Sequence, residues 1–352
     1  MSSDDTAGSL FDLPPEPGRG GSNVEPAAVD DELQRLARRL PPSVYLGTSS
    51  WSFPGWQRIV YGSTHTEAQL ARLGLAAYSQ HPLLHAVGID RSFYQPLTEQ
   101  QYAAYARQVP EHFRFVVKAP ALVTDALLRG ERGQPAAENP SFLDAALARE
   151  QFVEPALRGL GSRAGPLVFQ LSPLPRRMTA DGGREVIDFL GMFLRQLPRD
   201  VDGIAPVYAV ELRNAEMLTP RFVRMLHDAA ARLCIGIHAA MPAAARQAAA
   251  LRALDAAQGE GDDWVLKGPL VVRWSLHGGL RYEEAKNRYA PFDRLLDADL
   301  ITRGTLAHLA HVAIRSGQPA FIIANNKAEG SAPLTCIELA RAIVGQRGGT
   351  AA

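Results

Sequence analysis

A TIM-type (β/α)8 barrel is the fold class this chain predicts, and three observations predict it. Eight short apolar, β-prone segments recur between Val44 and Asn326, with helix-like stretches between them. Each segment breaks into a polar or charged residue at its C-terminal end, where barrels of this type carry their reactive groups. No glycine-rich dinucleotide turn follows the first segment, which argues against an open doubly wound sheet.

In chain order, residues 1–28 begin with a Gly-, Pro-, Ser- and Asp-rich run that has too few apolar groups to offset the entropy of ordering, so a disordered tail is expected. A lead-in helix follows within 29–42, with apolar Val29, Leu33, Leu36, Ala37 and Leu40 at helical spacing and Pro41-Pro42 as its stop, placed to close the bottom of the barrel. The barrel domain is expected over 43–346 and a second disordered tail over 347–352. Its strands end as follows: Val44–Ser49 in Ser50 and Trp51, Leu84–Ile89 in Asp90, Phe113–Val117 in Lys118, and Leu167–Phe169 in Gln170. Val207–Val210 ends in Glu211 and Arg213, Cys234–Ile237 in His238, Leu270–Val272 in Arg273 with His277 beyond, and Ala320–Ile323 in Asn325 and Asn326. Helical spacing predicts helices over Thr66–Gln80, Thr98–Gln108, Phe142–Leu160, Gly183–Gln196, Pro220–Ala231, Ala243–Ala257, Arg303–Ser316 and Leu334–Val344. Two connections are longer than a barrel needs: Leu122–Asn139, a surface excursion of the catalytic face, and Ala239–Gly268, whose Ala-rich run reads as helix.

Composition narrows the function classes. Lys+Arg and Asp+Glu both total 37, so no global positive field draws nucleic acid or anionic lipid, and anion binding has to come from a local cluster. The two cysteines, Cys234 and Cys336, sit in a predicted strand and a predicted helix without metal or redox spacing. With no signal-peptide pattern and no apolar run of roughly 20 residues, a cytoplasmic protein without membrane contact is expected.

Strand alternation selects the inward side chains. Ala209, Glu211 and Arg213 share one face; Arg273, Ser275 and His277 share another; His238 continues the face of Cys234 and Gly236. Glu211 beside Arg213 and Arg273 is either an acid/base with arginines holding an anionic group or a buried ion pair that fixes the rim. Lys118 is either a substrate or anion contact, a Schiff-base amine, or the partner of Asp90 or Glu211. Asp90, Glu211, His238 and His277 together form a possible divalent-metal set, although no tight ligand spacing marks it and no cofactor is otherwise expected. Trp51, Phe53, Trp56, Phe93 and Tyr94 gather at the first two strand ends, as a stacking platform for a base or sugar or as loop packing.

The same residues carry a resemblance. Tyr45-Leu-Gly-Thr-Ser-Ser-Trp-Ser-Phe-Pro-Gly-Trp56 resembles the opening of the family called domain of unknown function 72, also labelled YecE-like. Further blocks follow in the family's order: Ser92-Phe-Tyr94, Phe113-Arg-Phe-Val-Val-Lys-Ala-Pro120, Phe169-Gln-Leu171, Val210-Glu-Leu-Arg213, Val272-Arg-Trp-Ser-Leu-His-Gly278 and Asn325-Asn326. The resemblance implies a TIM-type barrel and no particular activity. The chain departs from the family pattern at Gly88-Ile89-Asp90, where Glu-Ile-Asn is usual, and at Ser50, Ser275 and Lys327.

The expected function is acid/base chemistry on a small polar, anionic or phosphorylated substrate at the barrel's C-terminal face. Glu211, Lys118, His277 and Asp90 are the candidate catalytic residues. Arg213, Arg273, Gln170, Asn325, Asn326, Trp51 and Tyr94 are the candidate substrate contacts. One alternative is a nucleic-acid-binding or metal-dependent nuclease-like barrel, using Trp51, Trp56 and loop arginines such as Arg129, Arg132, Arg176 and Arg177, which the zero net charge disfavours. The other is a non-catalytic binding scaffold.

Overall fold

The computed structural model describes residues 23–130, 134–256 and 264–346. Eight parallel strands close on themselves: β1 (Val44–Thr48), β2 (Leu84–Ile89), β3 (Arg114–Lys118), β4 (Ala164–Gln170), β5 (Tyr208–Glu211), β6 (Arg232–Ile237), β7 (Leu270–Trp274) and β8 (Ala320–Ala324). Each strand pairs with its neighbours in sequence, and β1 closes on β8 in register from Val44 opposite Ala320 to Thr48 opposite Ala324. This is the TIM-type barrel the polar strand ends predict.

Alternation sorts each strand between two cores. Ala86, Val116, Val168, Ala209, Cys234, Val271 and Ile323 fill the barrel interior. Leu46, Val87, Val117, Phe169, Val210, Ile235, Val272 and Trp274 instead pack with the helix layer. Near the strands' N-terminal ends, Tyr45 and Phe321 stack at 4.9 Å, and the Arg114 guanidinium lies 5.6 Å from the Tyr45 ring centroid. The interior residues above them are small, so long polar chains can converge at the other end.

The outer helices start where the sequence caps them. Thr66 and Thr98 each form a capping box, with Gln69 and Gln101 returning the bond, at the heads of Glu67–Tyr78 and Glu99–Ala106. The continuous helix expected over Phe142–Leu160 is broken into Ala145–Ala148, a π-turn over Arg149–Val153 and Glu154–Leu160. Pro155 has no N–H to donate and its ring crowds the preceding turn, which the wider π-turn relieves.

Of the tail expected over residues 1–28, residues 1–22 lie outside the described residues, as do 347–352. Residues 23–28 are packed rather than loose. Val24 is 4% exposed, Ala27 donates to Val60 O at 2.9 Å, and Gly62 donates to Glu25 O at 2.9 Å. Long-range backbone pairing thus orders a segment whose own composition gives little reason for order. The lead-in helix spans Asp31–Arg39 behind an Asp30 cap and packs on the C-terminal helix Ala332–Gln346, where Arg341 reaches Glu32 at 2.8 Å.

Leu122–Asn139 is an excursion as expected, and it contains a hairpin of Leu127–Arg129 with Pro135–Glu138. Ala239–Gly268 carries the helix Ala244–Leu254. A third excursion, between β7 and the helix Leu300–Arg315, was not anticipated. It holds the helix Tyr282–Tyr289 over a small core of Leu276, Ala285 and Tyr289 with Leu280 and Phe292. Glu329 anchors this excursion, accepting from Asp299 N at 2.7 Å through its carboxylate and from Leu296 N at 2.8 Å through its backbone carbonyl. Its charge is met by Arg303 at 2.8 Å. Among the described residues, no helix is long and apolar enough to cross a membrane.

Candidate active site

The centre of the C-terminal face is a buried charge network built on the ends of β2, β4, β5 and β7, with Lys118 of β3 beside it. Glu211 points inward from β5 because it continues the face of Ala209, and Gly236 on β6 leaves the space it occupies. A Cβ at Gly236 would lie 2.9 Å from Glu211 Cγ. Arg273 is the hub: its Nη1 donates to Glu211 Oε2 at 2.6 Å and to Gln170 Oε1 at 2.9 Å. Its Nη2 donates to both oxygens of Asp90, at 2.8 and 2.7 Å. Arg213 comes from the other side, donating to Gln170 Oε1 at 2.8 Å and lying 2.6 Å from Glu211 Oε1. The latter contact is an ion pair without hydrogen-bond alignment, since neither Glu211 Oε1 nor Arg213 Nε has a hydrogen-bond partner among the described residues.

The electrostatics follow from this packing. Burial pushes the Glu211 carboxyl up, but Arg213, Arg273 and Lys118 outweigh it and hold the group below the usual carboxylate value. Burial opposes the charge on Arg273, but Asp90 and Glu211 more than restore it. Both ends of the network are therefore firmly ionised at neutral pH. Lys118 behaves differently: burial and then Arg273 pull its amine down to about 7, against the opposing pull of Asp90 and Glu211. Its Nζ lies 3.4 Å from the Phe93 ring centroid, a cation–π contact that favours the charged form. Among the described residues it makes no ion pair, although it stands at the end of β3 as expected.

The remaining expected residues divide. His238 is at the rim, where its Nδ1 accepts from Ala240 N at 3.3 Å, and burial and Arg213 lower its pKa so that it is neutral at pH 7. His277 is not drawn into the network; its Nδ1 accepts from Gly279 N at 3.3 Å within its own turn. Asn325 donates to Ser49 Oγ at 2.7 Å and accepts from the Lys327 amine at 3.4 Å, beside the mouth. Asn326 is 1% exposed and serves packing rather than substrate: its Oδ1 accepts from Trp56 Nε1 at 3.1 Å and from Ala332 N at 2.8 Å, at the head of the last helix. Truncating it in Asn326→Ala is expected to cost about 1–3 kcal/mol, because two buried donors lose their acceptor. A chemical denaturation midpoint measures this.

The metal set is not assembled. Arg273 lies between Asp90 and Glu211 and bonds to both, and no metal-binding group of His, Cys, Asp and Glu forms among the described residues. The aromatic platform is corrected at Trp56. Trp56 is fully buried, and its indole is spent on Asn326, so it offers no face to a base. Trp51 is 6% exposed and meets Tyr105 edge-on at 5.2 Å. Arg132 and the Arg129 side chain lie outside the described residues, while Arg177 pairs with Glu138 at 2.6 Å.

Lys327 was noted in the sequence only as a departure from the family pattern, yet its amine joins the rim. It lies 4.3 Å from the Tyr282 ring centroid, and burial and Lys286 lower its pKa. The signal for it was its place directly after the paired asparagines that end β8. Beside the network, a cavity of about 520 Å3 opens between the ends of β1 and β2, bounded by Ser50, Trp51, Ile89, Asp90, Tyr94 and Tyr105.

A family model described as "Protein of unknown function DUF72" matches residues 45–351. The chain belongs to the DUF72 family. Solved DUF72 proteins share the barrel. One from Enterococcus faecalis is 18% identical, with 85% of this chain and 95% of that one covered at a TM-score of 0.52. Another, from Thermotoga maritima, is 16% identical, with 84% and 97% covered at a TM-score of 0.52. At such identities the likeness shows the fold alone. No curated protein matches the chain. For this DUF72 barrel, the chemistry has to be argued from the side chains themselves.

Proposed function

We propose that this barrel is an enzyme acting by acid/base chemistry on a small anionic substrate, with Lys118 moving the proton and Glu211 serving as a fixed counter-charge. One observation carries the reading: in the buried network the carboxylates and guanidiniums pair with each other, and among the described residues Lys118 makes no ion pair with a carboxylate. Glu211 and Asp90 balance Arg213 and Arg273, so the network without Lys118 is formally neutral. A protonated Lys118 makes the site net positive, and Lys327 at the rim adds to it. That arrangement attracts an anion without any global positive charge. An amine whose pKa lies near 7 can both accept and return a proton at neutral pH, which is the property an acid/base group needs. The carboxylate expected to do this work, Glu211, is held ionised by two guanidiniums and is poorly suited to it. Asp90, Gln170 and Asn325 remain at the mouth to orient the substrate.

Competitive acetylation of the intact protein across pH, with peptide-level readout, tests the proposal. The Lys118 amine should titrate near 7, well below the surface lysines, and inorganic phosphate should slow its labelling. A Lys118 that titrates with the surface lysines and ignores phosphate would remove the basis for this function.

A further inference from the structure

We propose that the cavity beside β2 holds an aromatic ring of the substrate, attached to the anionic group that Lys118 receives. The inference rests on the reading of Lys118 as the anion centre and adds the chemical class of the rest of the molecule. Its volume of about 520 Å3 is in the range of small-molecule sites, roughly 300–1,000 Å3.

The walls decide what fits. Trp51 donates its indole N–H to Ala71 O at 3.3 Å, and the Tyr105 hydroxyl is engaged by Arg91. The Ser50 and Ser52 hydroxyls lie 3.2 Å apart and bond to each other. Glu67, Asp90 and Arg91 give the cavity a charged edge, but most of its wall is carbon: the rings of Trp51, Tyr105 and Tyr94 with Ile89 and Ala71. Against that carbon wall a flat aromatic ring buries its faces against edges and faces of its own kind.

The cavity is also continuous with the charge network. Asp90 bounds it and is clasped by Arg273 through two hydrogen bonds. Tyr94 bounds it too, and meets edge-on at 5.4 Å the same Phe93 ring that covers the Lys118 amine. In the proposed pose the ring lies against Trp51 and Tyr94, and its anionic substituent is on the Asp90 and Phe93 side, toward the Lys118 amine that Phe93 covers. Sequence reading had Trp51 and Tyr94 as contacts for a base or sugar; the geometry narrows this to an aryl acid.

Calorimetric titration with three probes, 1-naphthyl phosphate, inorganic phosphate and 1-naphthol, separates the parts. The aryl phosphate should bind at least about tenfold tighter than phosphate, since a tenfold gain needs only ~1.4 kcal/mol from ring burial. Ala71→Phe, which fills the cavity from a half-buried helix position, should abolish that advantage and leave phosphate affinity unchanged. Tyr94→Ala, at an exposed residue whose truncation spares the core, should weaken naphthol and the aryl phosphate alike. Equal affinity for phosphate and aryl phosphate, or indifference to both variants, overturns the inference. Lys118→Met should weaken the two phosphates and spare naphthol. If it spares all three, the anion centre and the link to it fall, while ring binding in the cavity is judged separately by Ala71→Phe.

Discussion

Glu211→Gln is expected to destabilise the protein by about 3–5 kcal/mol, the usual cost of removing one partner from a buried ion pair. Glu211 is fully buried and faces Arg213 and Arg273, each at 2.6 Å. A neutral amide in its place can accept one hydrogen bond, but it leaves two guanidiniums with only Asp90 as counter-charge, in a place where water cannot compensate. Urea denaturation at pH 7 measures the loss. Its pH dependence has a definite sign: the folded pKa of Glu211 lies below the unfolded value, so the stability it contributes is present above the unfolded pKa and is lost as pH falls through the folded one. The gap between wild type and Glu211→Gln should therefore hold steady from neutral pH down to the ordinary carboxylate range, then close in stronger acid. If Glu211→Gln instead kept full stability while changing the phosphate protection of Lys118, the carboxylate would belong to substrate binding and not to the frame.

The location of this network was legible in the sequence, and its internal bookkeeping was not. Alternation alone placed Glu211, Arg213 and Arg273 on inward faces, because period two is imposed by strand geometry and the outer residues were uniformly apolar. What alternation cannot show is which partner each charge takes. Asp90 was a candidate proton carrier and metal ligand, yet the reach of Arg273 across the barrel turns it into half of a clasp. Asn326 was grouped with Asn325 because the two are adjacent, but successive residues after a strand leave in different directions, and only Asn325 remains at the mouth. The excursion over Tyr282–Tyr289 escaped notice for a different reason. Its apolar residues form a small local core amid many charges, so the segment reads as a solvated loop until Glu329 and Lys327 are seen to pin it.

Lys118→Met is expected to stabilise the protein at neutral pH, the opposite of what removing a strand-end residue from a packed barrel normally does. A lysine whose pKa falls from 10.5 to about 7 on folding is one that the fold tolerates at a cost while it is charged. Each unit of depression corresponds to ~1.4 kcal/mol of differential stability. Lys118 keeps some solvent contact and gains from the Phe93 ring, so about 2 kcal/mol is the expected increase and not the full shift. The sign follows from proton counting: between the folded and unfolded pKa the unfolded chain binds the extra proton, so wild-type stability rises with pH across that window. Lys118→Met has no such dependence at this position. Its advantage should be widest at pH 7 and below and should vanish by the unfolded lysine pKa. A constant gap across that range, or a less stable variant, would mean that Lys118 is an ordinary charged residue of the rim. A stabilised variant that no longer binds phosphate would instead show a binding group kept in place at the expense of stability, the pattern expected of a working site.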